Sequence, residues 1–219
     1  MKEHPLLLSA PMVLAALAGR KHITRRILSK HNTLIDGKMW GQSKCKWRHM
    51  KFDRTMLMEG KLVIACVNDC DFALHTITPI YRPGDVVWFK ETHAACLGCA
   101  FEPGNPVLYR ADAKQDYDKL RWRSSMFMPR WASRIVRPII GAHIERVQDI
   151  TEEQAEREGV AWFSTEGTTA EKTFIATKYP NGYRTNFMLL WDLLRPKPNQ
   201  HWKDNPLVIA IEFNDEVRP

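Results

Sequence analysis

Apolar residues recur with a helical repeat in three segments of the chain. The first segment begins at Ser9, a favourable N-cap residue with a proline soon after it, and ends at Gly19. The second opens with Thr151 and Gln154, which have the spacing of a capping box. The third has an apolar face with the spacing i, i+3, i+4 and i+7, made of Phe187, Leu190, Trp191 and Leu194. The pattern predicts helices at residues 9–18, 152–158 and 187–194.

Short runs rich in β-forming residues separate and follow these helices. The strongest run, Val-Val-Trp-Phe, comes directly after the turn sequence Pro-Gly-Asp. The predicted strands lie at residues 20–27, 62–67, 86–89, 139–147 and 207–213. Short strands, few helices and the lack of a Gly-rich phosphate loop favour an α+β fold with a small twisted β-barrel flanked by helices. A doubly wound sheet fits this order of elements less well.

Three polar or Gly- and Pro-rich stretches interrupt this order, at residues 29–60, 92–120 and 161–182. We interpret them as long loop insertions in one domain that spans residues 1–219. The chain is 44% hydrophobic and 26% charged, a composition that supports a packed core and excludes general disorder.

The formal net charge of +7 is unevenly distributed along the chain. Residues 1–60 contain 12 Lys and Arg against 4 Asp and Glu, whereas residues 149–219 contain 8 against 12. An excess of positive charge attracts polyanions, so the first part of the chain is expected to face RNA, DNA or a nucleotide. The alternative interpretation is a solvated basic surface with no ligand.

The apolar stretch at residues 5–18 superficially resembles the core of a signal peptide. Glu3 and His4 precede it, Pro11 interrupts it, and Arg20 and Lys21 follow where small residues belong. We therefore interpret it as a helix of the mature protein. No stretch approaches the roughly 18 apolar residues of a membrane helix. These features predict a cytoplasmic protein with free thiols and no membrane partner.

Four of the five cysteines form two close pairs, Cys66 with Cys70 and Cys96 with Cys99. Four thiolates in two pairs are able to bind zinc tetrahedrally. The first spacing is loose for this purpose, and the second pair falls in a predicted insertion. Ordinary free cysteines are therefore the preferred interpretation, and no cofactor is expected.

Five segments of the chain, taken together, resemble the ASCH-domain proteins encoded by bacteriophages and prophages. The segments are residues 9–13 (SAPMV) with 19–26 (GRKHITRR); residues 83–85 (PGD) with Trp88 and Glu91; residues 128–134 (MPRWASR); residues 148–150 (QDI) with 155–160 (AEREGV); and residues 190–191 (LW) with 205–206 (NP) and 211–213 (IEF). The resemblance reaches both ends of the chain and leaves the three insertions uncovered.

This resemblance implies a PUA-like fold, a bacterial host cytoplasm and an RNA or nucleotide partner. One branch of the family, made of much smaller proteins, hydrolyses N4-acylated cytidines. Its motif residues correspond by position to Lys21, Thr24 and Glu158, and all three residue types are retained here. The resemblance therefore implies an amidohydrolase that acts on modified nucleosides or bases.

The chemistry of such a site needs a nucleophile, a base and a proton donor. Thr24 would supply the hydroxyl, and Lys21 would be its base if its pKa is lowered by burial and by Arg20, Arg25 and Arg26. Glu158 would position a water or carry the proton to the leaving amine. Lys21 and Thr24 would face opposite sides of a straight strand, so a bend is required between them.

The alternative role for the basic residues is phosphate binding without catalysis. Glu91, Arg130 and Arg134 are expected either to line the same cleft or to form structural ion pairs. A hydrolase of N4-acylcytidine-type substrates is the preferred prediction. A non-catalytic RNA- or DNA-binding module and a nuclease are the two alternatives.

Overall fold

The computed structural model describes residues 1–29, 31–35, 38–39, 52–58, 61–67, 72–96, 98–112, 120–161, 182–195 and 197–214. Within these ranges the chain has an α+β architecture with a mixed five-stranded sheet, as the sequence predicted at this coarser level. Three α-helices flank the strands in the described ranges: α1 (Ala10–Leu17), α2 (Glu152–Arg157) and α3 (Tyr183–Leu194).

The helix ends follow the local signals in the sequence. Thr151 and Gln154 form a reciprocal capping box: the Thr151 hydroxyl accepts from the Gln154 amide, and the Gln154 side chain accepts from the Thr151 amide. Helix α1 ends before Gly19, whose φ of 65° lies in the left-handed region that glycine tolerates best. These interactions connect residues only a few positions apart, which is why the sequence alone predicted them.

The main sheet has the strand order β1-β8-β11-β12-β2. Its strands are β1 (Glu3–Leu7), β2 (Ile23–Ile27), β8 (Val86–Lys90), β11 (Val136–Arg146) and β12 (Leu207–Phe213). The β1–β8 pair is parallel and the other three pairs are antiparallel. Strands β1 and β2 are the two edges of this sheet.

A second, antiparallel sheet has the order β4-β3-β7-β6-β5. Its strands are β3 (Thr33–Ile35), β4 (Lys38–Met39), β5 (Phe52–Met58), β6 (Lys61–Val67) and β7 (Phe72–Pro79). The first three lie in the stretch 29–60, which the sequence analysis interpreted as a long loop insertion. A separate hairpin pairs β9 (His93–Ala95) with β10 (Val107–Tyr109).

Strand β12 separates two apolar clusters. Its alternate residues Ile209, Ile211 and Phe213 belong to the first cluster, together with residues of β1, α1, β8 and β11. Val208 points to the opposite face and belongs to the second cluster, which contains Trp191 and other residues of α2 and α3. The packing therefore places α1 and the α2–α3 pair close to edge strand β2, where the candidate site lies.

Candidate functional site

A cavity of about 330 Å³ opens beside edge strand β2. Strand β2, the connection from β1 into α1, helix α3 and Glu158 form most of its wall. The lining residues are Leu7, Leu8, Ser9, Met12, Lys21, Thr24, Arg25, Arg26, Thr92, Ser125, Glu158, Phe187, Leu190, Trp191, Leu194 and Arg195. The cavity thus brings together Lys21, Thr24, Glu158, Arg25 and Arg26, which the sequence analysis had selected.

Lys21 reaches the cavity because the strand predicted at residues 20–27 begins later than expected. The amides of Arg20 and Lys21 both donate to the Ala15 carbonyl, at 2.9 and 3.3 Å, so these residues complete the end of α1. The first strand residue is Ile23. This turn before the strand is the bend that the spacing of Lys21 and Thr24 required.

The Lys21 ammonium is buried, with only 2% of the residue exposed. Its Nζ donates to Glu158 Oε2 at 2.7 Å, to the Glu158 carbonyl at 2.7 Å and to the Ile23 carbonyl at 2.9 Å. Burial lowers the pKa of Lys21, the charges of Arg26 and Arg25 lower it further, and the Glu158 carboxylate opposes them. The direction agrees with the sequence prediction.

Arg20 does not contribute to this site. It lines a separate groove with His22, Glu156 and Arg157, on the other side of the Lys21 backbone.

Arg25 connects two carboxylates, each of which is at least 120 positions away from it in sequence. Its Nε donates to Glu145 Oε1 at 2.5 Å, and its Nη1 lies 3.3 Å from Glu158 Oε1. The other Glu145 oxygen is 3.0 Å from His143 Nε2, and this hydrogen bond raises the pKa of His143. Sequence reasoning missed both Glu145 and His143, because a charged residue in a predicted half-buried strand gives no sign of its partner.

Thr24 lies in β2 opposite Ile211 of β12, and only 5% of it is exposed. Its hydroxyl makes no hydrogen bond to any residue that the structure describes. Arg25, the next residue, pairs with Ala210 and faces the Phe187 ring at 5.9 Å. Since β2 is an edge strand, side chains from both of its faces border the cavity.

Arg26 and Arg195 carry positive charge without an acidic partner among the described residues. Arg26 Nη2 donates to the Leu7 carbonyl at 2.5 Å, which joins the two edge strands of the main sheet. Arg195 follows α3, and its guanidinium lies 4.8 Å from the centre of the Trp191 ring. The Nε atoms of both arginines are buried without a hydrogen-bond partner. The sequence analysis did not select Arg195.

Glu91, Arg134 and Arg130 lie outside the cavity wall. Arg134 makes two hydrogen bonds to the buried Glu91 carboxylate, at 2.8 and 2.9 Å, and also pairs with Asp112. Arg130 instead pairs with Glu3 at the surface, at 2.7 Å. Buried ion pairing among these three residues, one of the two roles predicted for them, is therefore present between Arg134 and Glu91, whereas Arg130 pairs with a residue outside this set.

Cys96 and Cys99 are joined in a disulfide, where the sequence analysis expected free thiols. Their spacing is compatible with this bond, and a disulfide offers no thiolate to a metal. Cys70 and the Cys66 side chain lie outside the described residues. In the part of the chain that the structure describes, no cluster of three or more His, Cys, Asp or Glu side chains is arranged to bind a metal.

The comparisons with known proteins found no matching family model, no matching curated protein and no matching solved structure. Among the described residues, no helix has both the length and the apolar character needed to cross a bilayer.

Proposed function

We propose that this chain is an ASCH-domain hydrolase with a PUA-like barrel, and that it removes the acyl group from N4-acylated cytidine or a closely related acylated base. One observation carries the proposal: Lys21, Thr24 and Glu158 border the same cavity although Glu158 is more than 130 positions away in sequence. Active sites gather residues that are remote in sequence, and the contact between Glu158 and Lys21 is such a case. The Arg26 bond between the two edge strands supports the barrel.

The cavity suits a planar base. Its volume of about 330 Å³ falls in the lower range of small-molecule sites. Phe187 and Trp191 provide aromatic surface on one side, and Met12 and Leu190 add apolar wall. Both rings are mostly buried and already face guanidinium groups, Phe187 that of Arg25 and Trp191 that of Arg195, so they contribute apolar wall. In the arrangement that we propose, the base lies against these apolar side chains and its exocyclic amide faces Thr24.

The Lys21–Glu158 pair is able to accept and release a proton, as general base catalysis requires. Transfer of one proton from Lys21 Nζ to Glu158 Oε2, across 2.7 Å, leaves a neutral amine and a carboxylic acid. The lowered pKa of Lys21, caused chiefly by burial, reduces the cost of this transfer. The amine then accepts the Thr24 hydroxyl proton as Oγ1 attacks the acyl carbon.

Collapse of the tetrahedral intermediate breaks the bond between the acyl carbon and N4. The leaving N4 takes one proton from this Lys21–Glu158 pair and departs as the amine of cytidine, while the acyl group remains on Thr24 as an ester. A water molecule then attacks the ester and gives one proton to the same pair. The bond between the acyl carbon and Oγ1 breaks, and the pair returns this proton to Oγ1, which restores the Thr24 hydroxyl and releases the carboxylic acid. The sum is amide plus water to amine plus carboxylic acid.

A non-catalytic nucleic-acid-binding module is the second candidate. The observation that favours it is that all three protons of Lys21 Nζ already have acceptors within the protein, an arrangement that a purely structural lysine would share. Thr24 separates the two functions because binding does not require its hydroxyl.

The test is turnover of N4-acetylcytidine and longer N4-acylcytidines by wild type, Thr24→Ala and Thr24→Ser. We expect Thr24→Ala to lower kcat/KM by at least about a thousandfold and Thr24→Ser to keep measurable activity, since serine retains the nucleophile. Lys203→Gln, an exposed change outside the cavity, is the control. Turnover by Thr24→Ala within tenfold of wild type, or no turnover of any acylcytidine by the folded wild type, would refute the proposal.

A further inference from the structure

We infer that Arg26 and Arg195 form a subsite for the phosphate of a nucleotide, so that the cavity takes a phosphorylated ligand in preference to a free nucleoside. The assignment of a nucleotide rests on the proposed function, whereas the anion subsite itself follows from the charges and cavities described next.

Of the four cationic side chains that the structure describes at the cavity, two are paired with carboxylates and two are not. Lys21 and Arg25 are paired with the carboxylates of Glu158 and Glu145. Arg26 and Arg195 have no carboxylate within 4.0 Å among the described residues. The cavity therefore has two positive charges on its Arg26–Arg195 side without a carboxylate of the described residues in contact, and Glu158, which already pairs with Lys21 and Arg25, attracts both only from beyond 4.0 Å.

The two arginines are also incompletely hydrogen-bonded. Among the residues that the structure describes, neither buried Nε atom has a hydrogen-bond partner, and Arg195 Nη1 makes only a long contact of 3.5 Å to its neighbouring carbonyl. A buried donor without an acceptor is costly, and the cost is larger when the donor is charged. An anion with several acceptor oxygens relieves it for both side chains together.

Arg26 and Arg195 lie close enough to affect each other. Burial lowers the pKa of Arg26, and the positive charge of Arg195 lowers it further. Two like charges held together in the absence of an anion raise the free energy of the empty site. Binding of phosphate removes this repulsion, and a guanidinium is well suited to phosphate because its N–H groups form a planar fork.

The position of the pair fits a phosphate attached to a ribose. A second cavity, of about 500 Å³, adjoins the first and shares with it Leu7, Arg26, Leu194 and Arg195. The pair thus stands where the cavity assigned to the base meets the adjoining groove. No Asp or Glu is among the described residues that line this groove, and Lys197 adds a further positive charge to it.

The experiment measures binding of cytidine and cytidine 5′-monophosphate by calorimetry, and the KM of the N4-acetylated form of each. Wild type should bind the monophosphate at least tenfold more tightly than the nucleoside, with an affinity that falls as salt rises. Arg26→Gln and Arg195→Gln should each remove most of this ratio. The control Lys203→Gln also deletes one surface cation and should preserve the ratio.

Equal affinity for nucleoside and monophosphate would overturn the subsite, as would a ratio that survives in the Arg26→Gln/Arg195→Gln double variant. Arg195→Lys keeps the charge without the planar fork, and partial retention of the ratio is expected if Arg195→Gln proves too unstable to assay. An acylated dinucleotide tested beside the monophosphate identifies whether a free nucleotide or a strand supplies the phosphate.

Failure of the subsite and failure of the proposed function give different results. Turnover with the same KM for nucleoside and monophosphate would leave the hydrolase and remove the subsite. Phosphate-dependent binding without any turnover would support the subsite and remove the hydrolase.

Discussion

The Lys21–Glu158 ion pair allows a quantitative test of how the site is held together. Both residues are buried, at 2% and 4% exposure, and their charged atoms are 2.7 Å apart. Lys21→Met removes the cation and leaves the Glu158 carboxylate buried, with Arg25 Nη1 at 3.3 Å as its remaining cation. Removal of one partner from a buried pair costs about 3–5 kcal/mol. This is a large part of the roughly 5–15 kcal/mol that stabilises a typical domain.

The double variant Lys21→Met/Glu158→Leu is predicted to be more stable than Lys21→Met alone. It removes both charges, so no buried carboxylate is left unpaired. The carbonyls of Ile23 and residue 158 still lose the donor that Lys21 provided, at about 1 kcal/mol each. We therefore expect a cost of about 2 kcal/mol for the double variant, against about 3–5 kcal/mol for Lys21→Met.

Urea denaturation followed by far-ultraviolet circular dichroism at pH 7 measures these differences. Wild type, both single variants and the double variant complete a thermodynamic cycle. A cost below about 1 kcal/mol for Lys21→Met would refute the premise that the pair is buried. Additive effects in the double variant would show that the two charges do not interact.

The pH dependence of the same variants gives a second test. Burial lowers the pKa of Lys21, so Lys21 loses its proton at a lower pH in the folded protein than in the unfolded chain. Between the lowered pKa and about pH 10.4, the unfolded chain therefore binds more protons than the folded protein. The stability of wild type relative to Lys21→Met should therefore rise with pH across this interval. A difference that is constant or falls with pH would contradict the direction of the pKa shift.

Two further predictions concern residues beside the site. Gly159→Ala should cost about 2–4 kcal/mol in thermal denaturation, because Gly159 has φ +84° and its new Cβ would lie 2.7 Å from the Ala15 Cβ. The matched control Gly104→Ala, at φ +96° with nothing within 4 Å, should cost only about 1 kcal/mol, and equal losses would contradict the steric argument. The hydrogen bond to Glu145 raises the pKa of His143, so this pair should stabilise the fold below about pH 6.5 and lose that contribution as pH rises through the raised value. His143→Gln should make Tm depend less on pH between pH 6 and 8. The difference corresponds to less than about 1 kcal/mol in the free energy of unfolding, because the imidazole is partly exposed. A pH profile of Tm equal to that of wild type would refute the assignment.

The local features of this protein could be predicted from the sequence. The capping box of α2 and the glycine end of α1 depend on contacts within a few residues, so a short segment contains all the information needed. The strands 62–67, 86–89 and 207–213 were predicted nearly in full, since β-branched and aromatic runs with flanking turns favour extended backbone wherever they pack.

The candidate site could be predicted from the sequence only in part. Lys21, Thr24 and Glu158 were selected through a resemblance to a family, since no periodicity or spacing links positions 21 and 158. The stretch 29–60 contains three strands that polar composition concealed. A strand in a sheet depends on its partner for hydrogen bonds, and β3, β4 and β5 find theirs partly in β7 and β6, outside that stretch.

Only the tertiary structure decided which charges at the cavity are neutralised. Arg25 and Arg26 are neighbours in β2 with the same charge, yet Arg25 meets Glu145 and Glu158 while Arg26 meets the Leu7 carbonyl and is repelled by the charge of Arg195. Alternation along a strand sends neighbouring side chains to opposite faces, and the two carboxylates that pair with Arg25 are more than 100 positions away in sequence. The amino-acid sequence by itself determined the helices, the strongest strands and the number of cationic side chains. The free energy of ions depends on burial and on partners a few ångströms away, so the function of each cation was set by the fold.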